Sequence, residues 1–173
     1  MDERYPIGRF QAPETLDAEA RRGWMESLRH APARLREAVA GLTDAQLDTP
    51  YREGGWSVRQ VVHHLADSHS VAYGRFRFTL IEDSPTFQPY DERRLAALPD
   101  AMGGPVAPSL ELLSGLHERW TMLLDAMTEA DFERSFLHPE RGRVTLAQQL
   151  ARSSWHVRHH TAQIVGLRQR EGW

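Results

Sequence analysis

Ser57-Val58-Arg59-Gln60-Val61-Val62-His63-His64-Leu65-Ala66-Asp67-Ser68-His69 opens with a capping box, Ser at N-cap and Gln three residues on. Val58, Val61, Val62, Leu65, Ala72 and Phe76 continue it as an apolar stripe of helical period. The spacing predicts a helix from Val58 to about Ile81. A second capping box, Thr145-Leu146-Ala147-Gln148, opens another helix that should run to about Arg170. Two further helices fit the same period. One spans about Leu16 to Ala40, kinked or split by Pro32. The other begins at Ser109 with Leu112, Leu113, Leu116, Trp120, Leu123 and Leu124 inward. Strand alternation is missing, and His138 to Gly142 reads as a loop. Thr43–Leu47 and Asp131–Arg134 look like single turns. Residues 1–14 read as an extended arm, because Pro6, Gly8 and Pro13 interrupt any helix. Four long helices in a single 173-residue domain make an all-α four-helix bundle the expected fold class. The long connection from Asp83 to Pro108 permits a non-sequential crossover, and loops of that length are more often functional than idle.

Composition narrows the chemistry. The formal charge is -3, which gives no electrostatic reason to expect nucleic acid or an anionic membrane as partner. No apolar run approaches the roughly 20 residues of a membrane span, and the acidic N-terminus lacks a signal-peptide core. A cytoplasmic location is the default expectation. There is no Cys and no Lys, and all 21 basic residues are Arg. Disulfides, thiolate ligands, a Schiff-base lysine and a P-loop lysine are excluded. No Ser-His-Asp order is visible either. Chemistry here must use His, carboxylates, hydroxyls, Arg or a bound ion.

The histidines carry that chemistry. In Trp155-His156-Val157-Arg158-His159-His160-Thr161-Ala162-Gln163, His156 and His160 are four apart and share one helix face. Alone, such a pair is weak evidence. His64 strengthens it, because it flanks the apolar stripe of its own helix and can meet the pair across the bundle. His63 lies almost opposite the stripe and reads as solvent-exposed. His159 is turned about 100° from the pair and is a poorer ligand. His69 reads as a partly buried residue without a metal, and His30 and His117 as residues that pack or solvate. Trp56, Trp120 and Trp155 are most simply core residues.

Three imidazoles without a thiolate suit a divalent ion, Zn²⁺ first and Ni²⁺ next. Three protein ligands leave a coordination position for water or substrate, the catalytic pattern. Such a site activates water or binds an incoming thiol as thiolate. Asp67, Tyr90 and His138 are the candidates for positioning or proton transfer.

These stretches, with Tyr5-Pro6-Ile7-Gly8, Pro89-Tyr90-Asp91-Glu92 and His138-Pro139-Glu140, resemble the DinB superfamily, and within it the YfiT-like metal-dependent hydrolases. The similarity runs near the full length. It implies an up-down-down-up four-helix bundle, usually a homodimer, whose ion is held by His64, His156 and His160. Relatives of this kind include bacillithiol S-transferases. The resemblance thus implies a small-molecule substrate and leaves two enzyme readings, hydrolase and low-molecular-weight thiol S-transferase. A non-catalytic metal-binding dimeric bundle is the third. Gln88 and Gln163 depart from the pattern, at a position expected to be basic and at one where close relatives often carry His.

Overall fold

The computed structural model describes residues 2–173. Helix α1 (Ala18–Val39) keeps Pro32 inside it without a break. A one-turn α2 (Asp44–Leu47) leads to α3 (Val58–Ile81). Two short helices, α4 (Glu92–Ala96) and α5 (Pro99–Gly103), interrupt the long connection, and α6 (Ala107–Ala126) follows. After α7 (Glu129–Glu133) the chain forms an antiparallel hairpin of β1 (Ser135–His138) and β2 (Gly142–Thr145). Helix α8 (Leu146–Glu171) ends the fold. The capping boxes at Ser57 and Thr145 both form: each hydroxyl accepts the N3 amide while the Gln returns to the cap N–H.

Side-chain pairings give the helix directions. Arg168 on α8 reaches Ala38 and Ala40 at the end of α1, so α1 and α8 are parallel. Arg29 pairs with Asp125 and Arg36 with Glu111, so α1 and α6 are antiparallel. His63 meets Ser109, and His69 meets His117, so α3 and α6 are parallel. His64 and His69 both meet His156, while His64 also faces His160. The order is therefore up-down-down-up. Helix α3 is about 36 Å long by its rise, and a parallel successor demands a connection that returns the whole way. That is the physical reason for the long segment after α3: Tyr90 shares a cavity wall with Ser68, Gln60 donates to Ala96 and Arg59 to Gly104, so it descends along the outer face of α3.

That descent corrects one expectation. His63 is buried, not solvent-exposed: its Nε2–H donates to the Gly104 carbonyl and its Nδ1 accepts from Ser109. Arg59, on the same face, is also buried and pairs with Asp44 and Asp48. The hairpin corrects a second. His138 and Gly142 are paired strand ends, and only Pro139 to Arg141 form the loop. Strands of four residues are too short to show alternation. The core is a continuous seam through Leu28, Leu35, Leu65, Phe76, Trp120 and Leu150, all below 1 % exposed. Among the described residues no helix is long and apolar enough to cross a membrane.

Candidate metal centre

Antiparallel packing of α3 against α8 brings His64, His156 and His160 together, with ligand nitrogens all within 4.8 Å of one another. His64 Nε2 and His156 Nε2 stand 3.2 Å apart. Two nitrogens bound to one tetrahedral ion at about 2.0–2.1 Å would stand roughly 3.3 Å apart, so the spacing fits. Burial is the first cause that lowers all three imidazole pKa values, His64 to about 4 and the other two well below their ordinary value. The rings are therefore held neutral, the form that can ligate.

The protons are directed away from this point by named acceptors. Pro32 has no N–H to offer the Leu28 carbonyl one turn back. His117 takes that acceptor with Nδ1–H at 2.7 Å. Its Nε2 must then accept, and His69 Nδ1–H donates to it at 2.9 Å. His69 Nε2 in turn accepts from His156 Nδ1–H at 3.4 Å. One backbone carbonyl thus fixes the tautomer of three histidines and leaves the His156 Nε2 lone pair facing His64. For His160, Nδ1–H donates to Gln163 Oε1 at 2.8 Å. The Gln163 amide is locked because its Nε2 donates to the Arg4 carbonyl and to His159 Nε2. Gln163, a departure from the family pattern in sequence, orients a ligand.

His69 and His117 are the functional residues that sequence reasoning missed. Both are almost wholly buried, at 1 % and 2 % exposure. The signal was present: Val62, Leu65, His69, Ala72 and Phe76 step by three and four, as do Leu110, Leu113, His117, Trp120 and Leu124. Each His occupies a seam position where an aliphatic residue would normally sit.

Two openings reach the centre. A cavity of about 430 Å³ touches His156 and is lined by Ser68, Tyr90, His138, Gln149 and Ser153 among others. A second, about 800 Å³, touches His156 and His160 and is walled by the N-terminal arm through Tyr5 and Phe10. Trp56 and Trp155 also line the second. Both are only partly buried: Trp56 packs on His64, and Trp155 stacks on His159 at 4.5 Å. Trp120 alone of the three is fully buried. Of the candidates for proton transfer, Tyr90 and His138 face the first cavity, and Asp67 lines neither. The Asp67 carboxyl is pushed up by burial and by Asp100 of α5. His138 Nδ1 accepts the Glu140 N–H, so its Nε2 carries the proton.

Comparison with known proteins agrees with this architecture. The DinB superfamily profile matches residues 27–164. A protein of Geobacillus thermodenitrificans named "Putative metal-dependent hydrolase" is 51 % identical over 172 residues, covering 98 % of this chain and 96 % of its own. YfiT of Bacillus subtilis, which carries the same designation, is 46 % identical over 170 residues, with 98 % and 96 % covered. The solved structure of Bacillus subtilis YfiT, described as a probable metal-dependent hydrolase with an unusual four-helix bundle topology, superposes with a TM-score of 0.96 at 45 % identity. It covers 100 % of this chain and 99 % of that one. The chain belongs to the DinB superfamily.

Proposed function

We propose that this protein is a metal-dependent hydrolase of small molecules, working through a divalent ion held by His64, His156 and His160. The observation that carries the reading is the convergence of three neutral imidazoles, with no fourth His, Asp or Glu in the cluster among the described residues. Three uncharged ligands leave the ion its full positive charge and a position to spare. An ion there would supply a Lewis acid that polarises a substrate carbonyl and activates water.

The chain's own groups do the rest. Burial of the imidazoles excludes solvent from one side, with Trp56 packed over His64. The Leu28–His117–His69 chain keeps the proton of His156 on Nδ1. His138 presents its Nε2–H to the cavity, where it can donate to an oxygen or nitrogen of the substrate. Tyr90, beside Ser68 in the cavity lining, supplies a hydroxyl on that wall.

The test is a turnover comparison on metal-loaded protein. A panel of ester and amide substrates is set against a low-molecular-weight thiol with an electrophile. Hydrolysis lost on chelation supports the reading. Turnover only in the thiol arm transfers it to an S-transferase that uses the same ligands. Turnover in neither leaves the non-catalytic bundle.

A further inference from the structure

We propose that Arg75, Arg141 and Arg152 form an anion subsite beside the three-His centre that takes a carboxylate or phosphate group of the substrate. This deepens the hydrolase reading and rests on it. All three line the cavity that also touches His156. Arg152 lies one helical turn before His156 on α8, Arg75 comes from α3, and Arg141 from the hairpin loop.

None of the three has a carboxylate within ion-pair distance among the described residues. Arg75 is the telling member. It is 8 % exposed, its Nε is buried without a hydrogen-bond partner, and its nearest aromatic support is the Phe136 ring at 5.8 Å. A buried cation without a partner is costly, so such a group normally has a counter-charge. The other buried guanidiniums behave so: Arg59 has Asp44 and Asp48, and Arg21 has Glu129.

Acids also border the cavity. Asp91 is occupied as the cap of α4, accepting from Arg93 and Arg94, while Glu92 and Glu140 are exposed. Glu140 offsets part of the Arg141 charge, but no carboxylate comes within ion-pair distance of the trio among the described residues. The arginines press on one another: Arg141, the exposed member, has its pKa pushed down to about 10 by partial burial, then by Arg152 and Arg75, against a smaller opposing pull from Glu140. Guanidinium forks match planar carboxylate and phosphate oxygens two at a time, which is the chemistry that would settle this charge.

The wall that the arginines share with His156 is polar and partly unpaired. Gln149 donates to Ser153 but its buried Oε1 has no partner. Gln149 precedes His156 by two turns, about 10 Å of helix rise. The substrate class is therefore a small acid: an anionic group on the arginines, an N–H or O–H facing Gln149, and the reacting group at the histidines. A volume of about 430 Å³ holds a molecule of metabolite size.

The experiment titrates the full-length protein, zinc-loaded and chelated, with succinate and with inorganic phosphate at low salt, by calorimetry. Metal content is measured in every sample. The expected result is saturable binding of at least one anion in both forms, weakened tenfold or more in Arg152→Gln and Arg75→Gln and unchanged in Arg77→Gln. Tighter succinate binding identifies a carboxylate, tighter phosphate a phosphoryl group. Arg152 is only partly buried, so its variant keeps the test valid if Arg75→Gln fails to fold. Three results overturn the subsite: no saturable binding, equal weakening in Arg77→Gln, or binding that disappears on chelation and ignores the arginines. Protein that retains zinc without binding anions removes this subsite alone; wild-type protein that takes up no metal removes the hydrolase reading.

Discussion

Replacing His69 with Leu interrupts the histidine chain without touching a ligand. The side chain is 1 % exposed and a Leu of similar volume fits the seam, so the helices should pack much as before. Two groups lose partners: the Nδ1–H of His156 and the Nε2 of His117. An orphaned buried polar group costs about 1–3 kcal/mol, so the two together should cost the fold roughly 2–6 kcal/mol before relaxation. Metal affinity should fall as well, because the His156 ring is no longer held to one tautomer. Loss of such a supporting partner typically costs about 10–100-fold, or roughly 1.4–2.7 kcal/mol. His117→Leu acts one link further out and should cost less affinity for a similar loss of stability. The assay is competition for zinc against a chromophoric chelator, with helicity followed by circular dichroism. Affinity within twofold of wild type in a folded His69→Leu protein would refute the idea that the chain orients His156.

Three other outcomes follow from the same geometry. His63→Ala removes one hydrogen bond to Gly104 of the returning segment and one to Ser109 of α6, and should lower stability by about 1–3 kcal/mol with metal content unchanged, read by urea denaturation beside elemental analysis. Chelated protein should weaken as pH falls from about 6.5 to 4: burial holds His64 and His117 at about 4, so in that window the unfolded chain binds protons that the fold refuses. The loss is on the order of 3 kcal/mol for each of these two, complete below pH 4, and a denaturation midpoint that stays flat over the window contradicts it. Ser57→Ala deletes the cap of α3 and should cost about 1 kcal/mol, visible as a lower thermal midpoint with the same metal stoichiometry.

What could be read from the sequence was whatever helical phase controls. The capping boxes at Ser57 and Thr145 place α3 and α8 to within a residue, and phase separates His64 from His63 and His156 from His159. What phase cannot see is the neighbour across the gap. His63 lies off the apolar stripe, as its phase says, yet Gly104 of the returning segment and Ser109 of α6 cover it. His69 and His117 each looked unremarkable, because their meaning lies in facing one another from two helices and in the carbonyl that Pro32 leaves free. The arginine cluster draws on α3, α8 and a hairpin whose four-residue strands carry no period. Such groupings depend on tertiary contact and have no local signature.

The central claim is that His64, His156 and His160 hold one ion. Elemental analysis of purified wild-type, His156→Ala and His160→Ala protein, each confirmed helical, tests it most directly. The account predicts one equivalent of divalent metal in the wild type and nearly none in either variant. Metal content unchanged in both variants would contradict it.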